Sequence, residues 1–184
     1  MAVADAAWAG AVLTGGASRR MGRDKALLEI DGTAMAVRVA QALRGAGAAD
    51  VCCIGLDVPG EAFVPDQYPG EGPLGGLLTA FSWAPADLVV VAGCDLVAPT
   101  ADALRRVVDA WTAGTDVAVP VVAGHQQWLH AAWWRPTCDP ILRAAFADGE
   151  RSVTRAAGRL VRHEYGEADA AALADADTPG DLPL

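Results

Sequence analysis

Short apolar segments alternate with segments of helical periodicity over the first two thirds of this chain, and this alternation restricts the fold more than any other feature. The segments "AGAVLTGG" (9–16), "VCCIG" (51–55) and "DLVVVAGCD" (87–95) are predicted to be buried strands. "FVPD" (63–66) is predicted to be a shorter one. Strands that alternate with helices favour an α/β fold, in which helices cover both faces of a mainly parallel sheet.

Capping residues and periodicity predict the remaining elements. Thr33 is expected to cap a helix that runs through Leu43 and stops at Gly45. Thr100 is expected to open another helix, with Trp111 on its apolar face. The other predictions are a turn at 31–32, helices over 74–83, 141–147 and 153–157, a hairpin formed by 116–124 and 126–134, and an edge strand within 159–165.

The composition favours one globular domain over residues 1–184. Hydrophobic residues make up 53% of the sequence, enough for a core without disulfides or metals. No apolar run reaches the length of a membrane span, and the first ten residues lack the basic start of a secretory signal. We therefore expect a soluble, cytoplasmic protein that does not bind membranes.

Charge and cysteine content exclude further classes of function. The net charge of −9 argues against nucleic-acid binding, because phosphate repulsion would oppose it. The four cysteines show no metal-binding spacing, and Cys52 and Cys53 are adjacent. Buried, reduced thiols are the expected state.

Against this acidic background, the loop after the first predicted strand is basic. Gly15 and Gly16 are followed within a few residues by four cationic side chains: Arg19, Arg20, Arg23 and Lys25. Glycines that end a strand leave backbone N–H groups available to an anion, and the cations add charge, so the loop is suited to phosphate. It has neither the Walker pattern nor the dinucleotide fingerprint. A solvent-exposed turn is the alternative.

The order of residues in "LTGGASRRMGRDKALL" (13–28) resembles the signature L-x-G-G-x-S-x-R-M-G-x-D-K of the nucleotidyltransferases, and within them that of the molybdenum cofactor guanylyltransferases. Three later segments resemble the family in the expected order: "GPLGG" (72–76) after Asp66, "VVVAGCDLVAP" (89–99), and "DADTPGDL" (175–182). The resemblance implies a Rossmann-like three-layer sandwich of the nucleotide-diphospho-sugar transferase type.

The resemblance also implies roles for individual residues. Lys25, Arg20 and Asp95 are the expected catalytic residues, with the lysine against the triphosphate. Asp95, at the end of a strand, is the expected Mg²⁺ ligand, although a cap or turn is the alternative. The expected nucleotide contacts are Leu13, Thr14, Gly15, Gly16, Lys25, Asp66 and Asp95.

Some positions have two interpretations or depart from the family pattern. Asp66 could bind guanine or a ribose hydroxyl, or form a turn after Pro65. Asp175 and Asp177 stand where the family commonly has asparagine; Asp177 is a second expected metal ligand, unless it belongs to a helix start at Thr178.

Other residues are not expected in the chemistry. Gly75 and Gly76 allow close approach of a ligand or of packing elements. His125 and His130 are not expected to act as bases, because the nucleophile is already an anionic phosphate. Trp128, in place of the family's usual proline, is expected with its neighbouring tryptophans in a core or an interface.

The resemblance implies an enzyme that transfers GMP from Mg-GTP to the phosphate of molybdopterin-type molybdenum cofactor and releases pyrophosphate. Molybdoenzyme apoproteins and other cofactor-synthesis proteins are possible partners. Three alternatives stay open: a cytidylyltransferase on the same cofactor, a phospholactate guanylyltransferase, and a nucleotide-binding adaptor that delivers cofactor without catalysis. The glycine pair favours the guanylyl branch.

Overall fold

A mostly parallel sheet runs through the centre of the molecule in the computed structural model, which describes residues 7–15, 24–166 and 170–175. The strands are β1 (Trp8–Leu13), β2 (Glu29–Ile30), β3 (Thr33–Ala34), β4 (Asp50–Ile54), β5 (Phe63–Val64), β6 (Leu88–Gly93), β7 (Val117–Val122), β8 (His125–Gln126), β9 (Ala132–Trp134) and β10 (Arg162–Tyr165). The helices are α1 (Met35–Gly45), α2 (Gly72–Trp83), α3 (Ala101–Asp109), α4 (Arg135–Ala147) and α5 (Val153–Ala156).

The central sheet has the strand order β10-β7-β9-β6-β1-β4-β5, and β8 pairs with β7 outside this path. Strand β1 lies parallel to both β4 and β6, and β10 lies parallel to β7. Strand β9 is the exception, because it runs antiparallel to both of its neighbours. The predicted mainly parallel sheet and the edge position of β10 are confirmed.

Two apolar layers cover the two faces of this sheet. In β1, Ala9 and Ala11 point toward the layer of α2, α4 and α5, whereas Trp8 and Val12 point toward the layer of α1 and α3. This alternation is the period of two that an extended strand imposes. The three-layer α/β architecture is therefore confirmed.

The helix boundaries differ most from the predictions at the starts of α1 and α4, and by one or two residues elsewhere. Thr33 does not cap α1; it lies in the hairpin of β2 and β3, whose turn places Asp31 and Gly32 at φ 53° and 73°. The turn residues thus favour a hairpin, and the helix begins only after it, at Met35. Helix α4 begins at Arg135 rather than at 141. Pro140 lies inside this helix and does not mark its start.

The predicted hairpin is confirmed only in part. Strand β7 turns at Ala123 and Gly124 into β8, but β8 ends at Gln126. A single 3-10 turn follows at Trp128–His130, and β9 then inserts between β7 and β6. Thr100 does cap α3 by accepting a hydrogen bond from the amide of Ala103. Trp111 is buried as expected, but it lies beyond the end of that helix.

Candidate active site

The candidate site lies where the parallel strands end, at the carboxyl edge of the sheet. Thr14 and Gly15 follow β1, Gly55 follows β4, Asp66 follows β5, and Asp95 follows β6. These strands are neighbours in the sheet, so the residues that follow them meet at one edge. In open α/β sheets this edge is the usual place for a ligand.

Thr14 ties the end of β1 to the end of β4. Its hydroxyl donates to the carbonyl of Ile54 at 2.9 Å and accepts from the amide of Leu56 at 2.8 Å. A Cβ atom on Gly55 would lie only 2.9 Å from the Gly15 nitrogen, and Gly55 has φ 111°. Glycine is therefore required at position 55, and the two loops pack backbone against backbone.

Lys25 and Asp95 form an ion pair across this edge, with Nζ 3.8 Å from Oδ2. Burial raises the pKa of the Asp95 carboxyl above its ordinary value, and the nearby charge of Asp175 raises that pKa further. Its own backbone amide and Lys25 oppose the rise. The carboxylate thus lies in a partly desolvated position, where electrostatic interactions are stronger than in water.

His130 and Asp175 complete the arrangement around Asp95. The sequence left Asp175 open as a metal ligand or a helix cap, and His130 was not expected in the chemistry. The Gly93 amide donates to His130 Nδ1 at 3.3 Å, and His130 Nε2 lies 2.8 Å from Asp175 Oδ1. Because Nδ1 accepts a hydrogen bond, the ring proton lies on Nε2, and His130 donates to Asp175. Both ring nitrogens are thus engaged in hydrogen bonds within the protein.

Asp66 forms a turn, which is one of the interpretations that the sequence left open. Its Oδ1 accepts from the Tyr68 amide at 2.9 Å and lies 2.9 Å from the Thr79 hydroxyl, which makes it a turn-forming aspartate. Its Oδ2 lies toward Gly15, since a Cβ built on that glycine would be 3.9 Å away. One oxygen therefore fixes the loop, and the other borders the site.

The glycines of "GPLGG" serve packing in this structure. A Cβ on Gly75 would lie 2.8 Å from the Tyr68 Cβ, so the first turn of α2 can approach that loop only without a side chain. Gly76 faces Leu13 at ordinary contact distance. The tryptophans also belong to the core: Trp128 and Trp133 are buried and in ring contact.

Three of the expected site residues, Gly16, Arg20 and Asp177, lie outside the described residues. The same holds for the expected helix start at Thr178. Leu13, Thr14, Gly15, Lys25, Asp66 and Asp95 are all at or next to the carboxyl edge. For these positions the structure therefore brings together residues that are far apart in the sequence.

The side chains at this edge fit a hard cation. Asp95 and Asp175 place two carboxylates close enough for one to raise the pKa of the other. Within the part of the chain that the structure describes, no three His, Cys, Asp or Glu side chains form a metal-binding group by themselves. Mg²⁺ in nucleotide-processing enzymes usually takes one or two carboxylates, with substrate phosphates completing its coordination.

In the ranges 7–15, 24–166 and 170–175, no helix combines the length and the apolar character that crossing a membrane requires.

Comparison with solved structures identifies the same fold elsewhere. A molybdopterin-guanine dinucleotide biosynthesis protein A from Archaeoglobus fulgidus superposes with a TM-score of 0.78 at 21% identity, over 95% of this chain and 94% of that one. A 2-C-methyl-D-erythritol 4-phosphate cytidylyltransferase from Thermus thermophilus superposes with a TM-score of 0.72 at 16% identity, over 94% of each chain. At such identities the likeness establishes the fold alone.

Comparison of sequences establishes the family. The chain is 36% identical to a probable molybdenum cofactor guanylyltransferase from Opitutus terrae, over 85% of this chain and 80% of that protein. It is 31% identical to the molybdenum cofactor guanylyltransferase of Rhodobacter capsulatus, over 95% of this chain and 92% of that protein. The family model of the MobA-like NTP transferase domain matches residues 10–165. The chain therefore belongs to the MobA-like NTP transferase family and is a nucleotidyltransferase.

Proposed function

We propose that the protein transfers GMP from Mg-GTP to the terminal phosphate of molybdopterin-type molybdenum cofactor. The observation that carries this proposal is the Lys25–Asp95 pair at the carboxyl edge, beside the Thr14–Gly15 backbone. It joins one cation and one anion where a nucleotide would lie in this fold. The names of the curated relatives support guanine as the base and molybdenum cofactor as the acceptor.

The transfer is a substitution at phosphorus. An oxygen of the acceptor phosphate forms a bond to the α-phosphorus of GTP while the bond from that phosphorus to the α,β-bridging oxygen breaks. Both electrons of the broken bond leave with pyrophosphate. The nucleophile is already anionic, so no protein group has to remove a proton from it, and the chain's task is orientation and charge stabilisation.

Individual residues have defined tasks in this proposal. The Lys25 ammonium stabilises the negative charge that develops on the leaving pyrophosphate. The Gly15 backbone lies against the nucleotide, and Asp66 Oδ2 accepts a hydrogen bond from the base or the ribose. Asp95 would hold Mg²⁺, with Asp175 beside it, and the bound ion would polarise the phosphate oxygens. Gly16, Arg20 and Asp177 are proposed as further phosphate and metal contacts on sequence grounds.

The proposal is tested by measuring pyrophosphate release with Mg²⁺ and each of GTP, ATP, CTP and UTP, with and without molybdenum cofactor. Release that requires both GTP and the cofactor supports it. Release with CTP instead of GTP would identify the protein as a cytidylyltransferase. GTP binding without release under any condition would contradict the proposed reaction and favour a cofactor-delivery adaptor.

A further inference from the structure

His130 occupies an unusual position for a polar side chain. It is 2% exposed, and it lies in the 3-10 turn just before β9. Because β9 runs antiparallel to β6, the start of β9 lies at the edge where β6 ends. The reversal of this one strand brings a residue that precedes a strand into contact with Gly93, the last residue of β6.

The two ring nitrogens connect two different segments. Nδ1 accepts from the Gly93 amide, two residues before Asp95, and Nε2–H donates to the Asp175 carboxylate. The contact with Gly93 is close, since a Cβ there would lie 3.2 Å from His130 Cε1 and 2.6 Å from Asp95 Oδ1. The imidazole therefore bridges the turn that carries Asp95 and the segment 170–175.

The segment 170–175 has further anchors on the same loop. The Val97 amide donates to the Ala174 carbonyl at 3.1 Å, and Leu96 and Asp175 form an antiparallel bridge. Ala172 and Leu173 are buried, and Leu173 belongs to the core beneath α1 and α3. The hydrogen bond to His130 is thus a side-chain contact that orients Asp175 within this anchored segment.

We propose that His130 is a positioning residue for nucleotidyl transfer, which holds the Asp175 carboxylate beside Asp95 and thereby completes the acidic side of the Mg-GTP site. The inference rests on the proposed function, because it assigns the contact a role in binding that substrate. His130 acts through Asp175 and touches no reacting atom, so its loss should weaken substrate binding rather than slow the chemical step.

The test compares variants that keep the hydrogen bond with variants that remove it. His130→Gln keeps a donor within reach of Asp175, whereas Asp175→Ala removes the acceptor and the shorter side chain of His130→Asn cannot reach it. We expect Asp175→Ala and His130→Asn to raise the KM for Mg-GTP about tenfold, the order expected for loss of a hydrogen bond to a charged group, with little change in kcat. His130→Gln should keep a KM near the wild-type value, because it preserves both a donor and the Asp175 carboxylate.

A double variant separates positioning from general destabilisation. If His130 acts only through Asp175, the combination of Asp175→Ala with His130→Asn should raise KM no further than either change alone. His163→Gln, at an exposed residue of edge strand β10, is the control and should leave KM unchanged. Additive effects, or a wild-type KM in Asp175→Ala, would overturn the inference.

Hydrogen exchange supplies a readout that needs no turnover. In Asp175→Ala the Val97 amide, which donates to Ala174, should exchange faster than in the wild type, while the Val91 amide, which donates to Ala131, should not change. Unchanged protection of Val97 would contradict the anchoring role. If the wild type releases no pyrophosphate at all, the proposed function fails, and the exchange result still decides whether His130 orients this segment.

Discussion

Thr14 links two loops through a single hydroxyl group. It is 7% exposed, and its oxygen contacts both the Ile54 carbonyl and the Leu56 amide. The hydroxyl thus connects the ends of β1 and β4 in a way that alanine at this position could not. The connection stabilises the backbone contact of Gly15 with Gly55.

Replacing Thr14 by valine should destabilise the protein by about 1–3 kcal/mol, because the partly buried Leu56 amide would lose its acceptor. Thr14→Ser, which keeps the hydroxyl, should cost much less. Urea unfolding measures both. Equal stability of the valine and serine variants would show that the hydroxyl contributes nothing.

Lys25 is the only lysine in the sequence, which makes its role accessible to experiment. Lys25→Met removes the charge while keeping a similar chain length, and it should lower kcat about 10²–10³-fold, the size typical for loss of one group that stabilises transition-state charge. The thermal midpoint should change little, since Nζ and Oδ2 lie 3.8 Å apart, near the distance limit of an ion pair.

Lys25→Arg is the matched control, because it keeps the positive charge, and we expect it to retain more activity than Lys25→Met. Asp95→Asn should also lower turnover while preserving the fold. Wild-type turnover in either Lys25→Met or Asp95→Asn would contradict the roles proposed for this pair.

At the scale of elements, two hairpin turns differ in how well their residues suit the backbone. Asp31 and Gly32 in one turn, and Ala123 and Gly124 in the other, all have positive φ. Aspartate tolerates this conformation, whereas alanine does not, at a cost of about 1–2 kcal/mol. The β7–β8 turn therefore carries strain that the β2–β3 turn avoids.

Ala123→Asn should stabilise the protein by about 0.5–1 kcal/mol, because asparagine adopts positive φ more readily. Asp31→Asn, at the corresponding position of the other turn, is the control and should be nearly neutral. Chemical denaturation of both variants gives the comparison. A loss of stability in Ala123→Asn would mean that the turn is not strained as its φ of 49° indicates.

The start of α5 is organised by one glutamate. Glu150 Oε1 accepts from the amides of Arg151 and Ser152, and Oε2 accepts from Arg155. The Arg155 guanidinium and these amides lower the pKa of Glu150 to about 2. Because the folded pKa is below the unfolded one, this contribution to stability is present above about pH 4.5 and is lost as the pH falls toward 2.

Glu150→Gln removes the ionisable group, so the stability difference between wild type and variant should shrink as the pH falls from about 5 to 2. Thermal unfolding of both proteins across this range measures the difference. The other carboxyl groups titrate in both proteins, so their contribution drops out of it. A constant difference over the whole range would contradict the assignment.

The sequence predicted local features of the site better than distant contacts. Lys25 and Asp95 could be named because each lies in a contiguous motif, and β1, β4 and β6 could be named because they are continuous apolar runs. The contact between His130 and Asp175 escaped prediction because it spans 45 residues and depends on the antiparallel placement of β9. Periodicity reports burial within a segment, but it carries no information about such pairing.

The same distinction explains the errors at element boundaries. Threonine often caps helices, but the turn at Asp31–Gly32 places Thr33 in a hairpin, where it pairs with Ile30. Pro140 indicates a helix boundary locally, yet α4 continues through it and buries Cys138 and Leu142 against the sheet. In both cases contacts made by the folded chain override the local preference.

For the molecule as a whole, the adjacent cysteines of β4 can report on motions in which a helical layer separates from the sheet. Cys52 faces the layer of α2, α4 and α5, whereas Cys53 faces that of α1 and α3. Burial raises their pKa values to about 11 and about 12, so neither thiol reacts readily in the closed protein.

Alkylation of each thiol therefore requires its own helical layer to move away, and two neighbours in sequence become independent probes of the two halves of the core. Mass spectrometry of the peptide that contains both can distinguish them. Different labelling rates would reveal that one layer detaches while the other stays in place, and equal rates would show that the sheet loses both coverings in one cooperative event.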